Sequence, residues 1–338
     1  MSHQFTRRQF LQLAATAGTL TAFGLTGCTR QTSETQAVPL EQLVIKGPPA
    51  PPSILLAHVS RQERLTALVP EVQFDTWANP DQLRAEVTSN ALHVTATPTN
   101  VAANLYRRGV PVRLLNVTVW GMLYVCAVDA SITTWNDLQG ARIVIPFRGD
   151  MPDLIFRYLA RAHGLDVDRD LTPQYVSAPI EALQLLLAGQ TQVAVLSEPG
   201  ATAAQIRGQQ EGMTIHRALN LQEEWDAVTG RGPRIPQAGT LAVAALVDNY
   251  PDVVAAIQDG LYEAVDWSRQ HPEQAAQLGA PLLGLQEPII AQSLPRMQLE
   301  MVPATTARDD LEFFFSRLKE LSPDVIGGDL PDDTFYAA

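Results

Sequence analysis

The 338-residue sequence has only two cysteines, Cys28 and Cys126. It allows at most one disulfide bond, which excludes a disulfide-stapled scaffold. Its six histidines are scattered, without the H-x-x-x-H or H-E-x-x-H spacing of a metal-binding helix. We therefore predict no metal site and no cofactor.

Basic residues are also scarce, with 24 Lys and Arg against 36 Asp and Glu and a formal net charge of −12. No basic run or stripe is present, which argues against binding to nucleic acid and against electrostatic adhesion to anionic lipid. The sequence also lacks the G-x-S-x-G elbow, the G-x-x-x-x-G-K-[ST] phosphate loop and the G-x-G-x-x-G dinucleotide motif. These absences predict a protein that is not an enzyme.

The N-terminal region has the composition of an export signal. Residues 1–10 are polar and carry Arg7 and Arg8, and residues 11–27 are uncharged but short for a bilayer span. Thr6-Arg7-Arg8-Gln9-Phe10-Leu11 resembles a twin-arginine motif, and Leu25-Thr26-Gly27-Cys28 resembles a lipobox. We predict a signal peptide over residues 1–27 and a lipid on Cys28 that anchors the exported protein to the extracytoplasmic face of the membrane. The alternatives are an ordinary secretory peptide and a transmembrane anchor.

Residues 28–52 are rich in Gln, Thr, Ser and Pro and end in Gly47-Pro48-Pro49-Ala50-Pro51-Pro52. This composition buries too little apolar area to fold, so we predict a tether. Removal of residues 1–27 with their two arginines takes the net charge from −12 to −14. The predicted mature chain is therefore an acidic domain on an extended linker.

Cys126 has no disulfide partner if Cys28 is acylated. It lies in Tyr124-Val125-Cys126-Ala127-Val128, an apolar run typical of a buried strand. We predict a core thiol rather than a nucleophile.

From Ser53 onward, short apolar runs alternate with longer helix-like stretches, a pattern typical of an α/β fold with largely parallel sheets. We predict a first strand over residues 54–59 followed by a helix that Ser60 caps. A second strand over residues 72–77 precedes a helix capped by Asn79. A later strand begins at Arg142.

Three strings in this order carry a family resemblance. They are Trp135-Asn136-Asp137-Leu138-Gln139-Gly140-Ala141-Arg142, then residues 182–189 with Val193-Ala194-Val195-Leu196-Ser197-Glu198-Pro199, and finally residues 327–336. Together they resemble the periplasmic binding protein-like proteins of the nitrate, sulfonate and taurine class, in the SsuA/THI5-like and NMT1-like subgroup. The resemblance covers most of residues 53–336.

The resemblance implies the periplasmic binding protein type II fold, in which two α/β lobes joined by two crossing strands close on a ligand. It places lobe one at residues 53–129 plus 239–338 and lobe two at residues 130–238. The crossings fall near residues 126–130 and 237–243, and the C-terminal helices buttress lobe one. The implied protein is a monomer that delivers a small polar or anionic solute to the permease and ATPase subunits of an ABC importer.

In open α/β sheets, ligands bind beyond the carboxyl ends of the strands, where helix N-termini offer unpaired N–H groups. The candidate ligand-binding residues at such positions are Ser60, Thr97, Thr99, Asn100, Trp120, Arg148, Gly149, Asp150, Met151, Ser177 and Glu198.

Several of these candidates also have a structural alternative. Arg148 suits bidentate pairing with a carboxylate, sulfonate or phosphate, but a solvated loop arginine fits as well. Thr97, Thr99 and Asn100 suit a polar ligand or helix capping, and Asp150 favours capping. Trp120 fits the cleft wall or the core, whereas a carboxylate at Glu198 disfavours a bare anion unless a base pairs with it.

Two other functions stay open at this level. A lipid-anchored sensor that reports its ligand without transport has the same sequence features. A pyrimidine-synthase-like enzyme on the same fold is the other, and His58 is its one candidate histidine, although a structural strand histidine is favoured there.

Overall fold

The computed structural model describes residues 39–337; the predicted signal peptide, Cys28 and the first ten residues of the tether lie outside them. Eleven strands form in this part of the chain: β1 Gln42–Gly47, β2 Glu71–Thr76, β3 Val94–Pro98, β4 Val112–Val119, β5 Leu123–Ala127, β6 Arg142–Pro146, β7 Thr172–Val176, β8 Val193–Ser197, β9 His216–Asn220, β10 Ala238–Val243 and β11 Leu299–Pro303.

Fourteen α-helices accompany the strands over the same residues: α1 Pro52–Val59, α2 Glu63–Thr66, α3 Pro80–Thr88, α4 Thr99–Arg107, α5 Met151–Ala162, α6 Val167–Asp170, α7 Pro179–Leu187, α8 Gly200–Gln210, α9 Leu221–Thr229, α10 Ala244–Asn249, α11 Pro251–Gln270, α12 Pro272–Leu283, α13 Glu287–Ser293 and α14 Arg308–Leu321. The 3-10 helices are Trp135–Leu138, Leu294–Arg296, Pro323–Ile326 and Asp333–Phe335. Of the helices between residues 39 and 337, none is long and apolar enough to cross a membrane.

The strands form two sheets, which confirms the predicted two-lobed α/β class. The first sheet has the order β11-β4-β10-β3-β1-β2, and the second has the order β7-β6-β8-β5-β9. In the first sheet β1, β2 and β3 are parallel, and β10 runs antiparallel between β3 and β4. The carboxyl ends of β3 and β4 therefore meet the beginning of β10 at one edge.

The predicted first strand is wrong. Residues 54–59 lie in α1, and the first strand is β1, inside the predicted tether of residues 28–52. β1 alternates buried and half-buried side chains, and Pro52 begins α1 at a position that requires no backbone N–H. A short apolar run fits a buried helix as well as a buried strand, so periodicity alone did not separate them. By contrast, β2 and the Asn79 cap of α3 are confirmed, with the Asn79 side chain accepting a hydrogen bond from the Gln82 N–H.

The predicted crossings also shift. The chain leaves the first sheet after Val119, and β5 already pairs with β8 and β9 of the second sheet. The first crossing is therefore Trp120–Met122 rather than residues 126–130, and the lobe boundary at residue 129 is one strand too late. The second crossing spans residues 230–237, between α9 and β10.

The C-terminal helix α14 packs against lobe two as well as lobe one, which corrects the prediction that it buttresses lobe one. The Trp225 ring in α9 lies 5.7 Å from Phe314, and Arg231 forms ion pairs with Asp309 and Asp310. One apolar core is continuous across this junction, from Val101 in α4 through Phe156 in α5 to Phe314. The lobes therefore share a packed seam on this side.

A buried polar network fixes the middle of the first sheet. The Asn116 side chain in β4 donates to Gln258 at 2.5 Å and accepts from the Thr240 N–H, and Gln258 also donates to the Leu115 carbonyl. Next to this network, a Cβ on Gly239 would lie 1.9 Å from the Asn116 carbonyl oxygen. Glycine is therefore required at residue 239 by close backbone approach.

Gly239→Ala is expected to lower the free energy of unfolding by about 3 kcal/mol, because the added methyl group displaces β4. Chemical denaturation measures the change. The matched control is Gly200→Ala at the start of α8, where a Cβ meets nothing within 4 Å and stabilises by about 0.5 kcal/mol. Equal stability of the two variants would contradict the close approach.

Candidate functional site

The carboxyl edge of the first sheet gathers several of the predicted site residues. Thr97 lies near the end of β3, and Thr99 and Asn100 open α4. The Thr99 N–H donates to the Gln237 carbonyl at 3.1 Å, and its hydroxyl donates to the Pro236 carbonyl at 2.6 Å. These bonds attach the second crossing to the start of α4.

The second lobe presents its own carboxyl edge at this place. The Asn100 amide donates to Asp150 Oδ1 at 3.3 Å, which joins α4 of lobe one to the loop between β6 and α5 of lobe two. A cavity of about 380 Å³ is lined by residues of both lobes, including Asn100, Asn104, Gly149 and Asp150. This cavity runs along α4 and the loop after β6, and the predicted cleft between the facing strand ends stays a prediction.

Four buried polar atoms lie along the first sheet's edge without a hydrogen-bond partner among the described residues. They are the Thr97 hydroxyl, the Asn100 side-chain carbonyl and both polar atoms of the Gln237 carboxamide. Buried polar groups are normally paired, because an unpaired one loses its hydrogen bonds to water without replacement. Thr97, Asn100 and Gln237 therefore have free hydrogen-bonding capacity that the fold does not use.

Gln237 is a further candidate site residue that the sequence did not predict. Ligand contacts were predicted at the carboxyl ends of strands, whereas Gln237 precedes β10, whose amino end reaches the same edge because the strand is antiparallel. The sequence feature that could have identified Gln237 is a polar residue just before the strand that returns the chain to lobe one.

Two of the predicted ligand contacts, Trp120 and Ser60, have structural roles. The Trp120 indole N–H donates to the Glu300 carbonyl at 3.0 Å, and its ring is buried beneath the Arg234 guanidinium. Ser60 ends α1 and donates to the Ala57 carbonyl at 3.0 Å. It lies about 12 Å along the helix from Pro52, at the end remote from the carboxyl edge, so its prediction as a ligand contact is wrong.

The loop between β6 and α5 is shaped by backbone requirements. Phe147 has φ +57° and Gly149 has φ +74°, the left-handed region that side chains other than glycine rarely adopt. Asp150 caps α5 by accepting from the Met151 N–H at 2.8 Å, as predicted, and Met151 is buried. The positive φ of Phe147, a bulky residue, marks this loop as a strained segment at the cleft.

Asp153 stabilises this loop through a hydrogen bond to its backbone. Its buried carboxylate accepts from the Gly149 N–H at 2.8 Å and from Arg157 Nε at 2.9 Å. Burial raises the pKa of Asp153, and the Gly149 and Arg157 bonds oppose that shift. The contacts keep the carboxylate tied to the loop.

Arg148 points to a different place from Asn100 and Asp150. It is exposed, with its guanidinium 5.0 Å from the Tyr175 ring centre, and it lines a separate cavity of about 620 Å³ with Asp153, Arg157 and Asp168. The structure therefore does not bring the predicted cation to the residues at the sheet edge.

Ser177 also bonds to a residue other than those of the sheet edge. It is exposed, and its hydroxyl donates to the Glu181 carboxylate at 3.0 Å, within the first turn of α7.

The Glu198 side chain bonds to residues of lobe two. Its side chain is buried, accepts from Arg217 Nε at 3.0 Å and from the Thr202 N–H at 3.0 Å, and is paired with the Arg217 guanidinium. The base that compensates Glu198 is Arg217 rather than Arg148. The pair stabilises the second sheet and leaves no free carboxylate for a ligand.

Cys126 lies in β5 and is buried, as predicted. Burial raises the pKa of its thiol to about 12, so the group is protonated at neutral pH. In the described part of the chain, His, Cys, Asp and Glu side chains form no group of three suited to a metal ion.

The sequence and the fold were compared with known proteins. The profile of the NMT1-like family matches residues 92–282, which is 191 of 338 residues. The search of curated proteins finds no matching sequence.

Solved structures share the fold at low sequence identity. An ABC transporter protein from Parabacteroides distasonis has a TM-score of 0.75 at 20% identity, covering 88% of this chain and 99% of its own. The periplasmic aliphatic sulphonate binding protein SsuA from Escherichia coli has a TM-score of 0.66 at 17% identity, covering 88% and 94%. The periplasmic nitrate-binding protein NrtA from Synechocystis has a TM-score of 0.63 at 14% identity, covering 85% and 84%. The chain therefore has the periplasmic binding protein type II fold.

Glu198→Gln is expected to lower the free energy of unfolding by about 3 kcal/mol, because Arg217 loses its charge partner in a buried setting. Urea denaturation measures the loss. The control Glu211→Gln removes an exposed carboxylate at the end of α8 and stays within about 0.5 kcal/mol of the parent. If Glu198→Gln is as stable as the control, the ion pair is not the role of Glu198.

Proposed function

Because this chain belongs to the NMT1-like family, we propose that it is the solute-binding component of an ABC-type importer. In this role the two lobes enclose a small solute at the facing strand edges and deliver it to a permease. The observation that carries the proposal is the junction of Asn100 and Asp150, where both lobes contribute polar groups to one cavity.

The structural relatives support this function. The Parabacteroides protein is described as an ABC transporter, SsuA as a sulphonate-binding protein and NrtA as a nitrate-binding protein. A shared fold does not fix the ligand, since one fold serves many sites. The chemical class of the solute therefore depends on the side chains of this chain's own site.

The two crossings supply the hinge that such a protein needs. The Ile235 N–H donates to the Trp120 carbonyl at 2.7 Å, and the Gln237 N–H donates to the Val119 carbonyl at 3.0 Å, so the crossings run side by side. Gly121 lets the Gln222 side chain approach closely, because a Cβ there would lie 2.3 Å from Gln222 Cγ. A solute that contacts both lobes favours the closed state by its extra contacts in that state.

The role of the membrane anchor also belongs to this proposal. Cys28 is separated from Gln42 of β1 by residues 29–41, which is 13 residues rather than the two dozen predicted. Thirteen residues span at most about 45 Å when fully extended. A lipid on Cys28 then keeps the domain at high effective concentration beside the permease and ATPase subunits, so a weak docking interface suffices.

Solute binding is expected to stabilise the purified protein by about 2.7 kcal/mol at a solute concentration 100 times Kd. Native mass spectrometry of the protein as purified, followed by thermal unfolding with sulfonates, nitrate, bicarbonate, pyrimidines and riboflavin, measures this. Asn100→Leu removes the stabilisation, whereas the control Ser177→Ala, on the exposed start of lobe two's α7 turn, retains it. If none of these solutes stabilises the protein, or if the protein converts a bound solute to a product, the proposal that it is an importer component is wrong.

Cys28→Ser is expected to move the exported protein from the membrane fraction to the soluble fraction, because the substitution removes the acylation site. Fractionation of bacteria that express the full chain measures the distribution. Cys126→Ser is the matched control, since its buried thiol takes no part in anchoring, and this variant stays in the membrane fraction. Retention of Cys28→Ser in the membrane would refute the lipid anchor.

A further inference from the structure

Thr97, Asn100 and Gln237, hereafter the edge cluster, combine burial with unused hydrogen bonds. Gln237 is 2% exposed, and neither polar atom of its side chain meets a partner within residues 39–337. Leaving such groups unpaired costs about 1–3 kcal/mol each in a folded protein. This free-energy cost indicates that the Gln237 side chain bonds to a partner that is not part of the chain.

The neighbouring backbone offers the Gln237 side chain nothing. The Gln237 N–H donates to the Val119 carbonyl, and the Gln237 carbonyl accepts from the Thr99 N–H. The Thr99 hydroxyl is bonded to the Pro236 carbonyl. Of these groups around Gln237, only its own side chain is left without a partner in the part of the chain that the structure describes.

The arginines near the edge cluster have other contacts or lie farther out. Arg217 is paired with Glu198. Arg234 lies on the Trp120 ring and pairs with Glu300 at 3.0 Å, although its buried Nε has no partner among the described residues. Arg148 lines the other cavity. Arg84 and Arg108 both line the Asn100 cavity. Arg84 is paired with Asp81 at 3.0 Å, and Arg108 is exposed and lies eight residues along α4 from Asn100, about 12 Å away.

The polarity of the edge cluster opposes a bare anion. Asn100 donates its amide to Asp150 and is left with a free carbonyl oxygen, which is an acceptor. The Asp150 carboxylate beside it adds negative charge. Nitrate and sulfonates carry only acceptors, so at Asn100 they would meet an acceptor and a carboxylate. The uncharged Thr97 hydroxyl and Gln237 amide are the donors that the edge cluster offers them.

We propose that the edge cluster binds an uncharged solute bearing an N–H beside a C=O, the arrangement of a carboxamide, lactam or ureide. The Gln237 carboxamide pairs with that N–H and C=O through two hydrogen bonds, and a further N–H or O–H of the solute donates to Asn100. This inference rests on the proposed solute-binding function and specifies the chemical class of its ligand.

The ligand-free protein provides the first test. Gln237→Met keeps the side-chain volume and removes unpaired polar atoms, so the unfolding midpoint of the ligand-free protein rises by about 2 °C. The matched control is Gln258→Met, which removes a buried carboxamide bonded to Asn116 and Leu115, and its midpoint falls. A fall in Gln237→Met like that of the control would overturn the proposal, because it would make the Gln237 amide structural.

Binding provides the second test, with 2-imidazolidinone and 2-pyrrolidinone as uncharged probes and ethanesulfonate and nitrate as anions. Saturation-transfer NMR and calorimetry are expected to detect the uncharged probes on the parent protein, with at least a tenfold loss of affinity in Gln237→Met. Arg148→Ala binds them unchanged.

The outcomes separate this inference from the proposed function. Binding of the anions but not the uncharged probes, with loss in Asn100→Leu, would overturn the inference and leave the solute-binding function in place. Failure of every probe and of every solute in the thermal screen would overturn both.

Discussion

Two backbone hydrogen bonds between the crossing segments, from Ile235 to Trp120 and from Gln237 to Val119, hold the architecture together. They place the amino end of antiparallel β10 between the carboxyl ends of β3 and β4. As a result, one residue of the hinge, Gln237, also belongs to the candidate site. In the proposed function, a ligand bound at Gln237 would contact the segment that joins the two lobes.

The two sides of the lobe junction differ in chemistry. On one side, Trp225 and Phe314 belong to a continuous apolar core that fixes α14 against lobe two. On the other, Asn100 and Asp150 meet in a cavity that both lobes line. Apolar burial is non-directional and strong, whereas a single polar contact at 3.3 Å is weak, so relative motion is expected on the polar side.

Several buried charged side chains between residues 39 and 337 have structural partners. Glu198 is paired with Arg217, and Asp153 binds both Arg157 and the Gly149 N–H. The buried polar network of Asn116 and Gln258 is likewise satisfied. The Gln237 carboxamide differs from these groups because both of its polar atoms lack a partner among the described residues. Local departures from polar satisfaction are typical of functional sites.

The sequence alone determined the elements that local chemistry controls. Asn79 and Asp150 cap helices because a short acceptor side chain before a helix has few other roles, and Cys126 is buried because its neighbours are apolar. The order of family-like strings predicted the fold that the comparisons confirm.

Only the tertiary structure decided where the first strand lies. The short apolar stretch Leu43-Val44-Ile45 forms part of β1, whereas the longer apolar run of residues 54–59 lies in α1. The tertiary structure also decided the partner of Glu198 and the position of Gln237, because both depend on contacts between residues far apart along the chain. A one-dimensional pattern records the period of an element but not the direction in which a neighbouring strand runs. That direction brings Gln237 to Thr97 and makes the site.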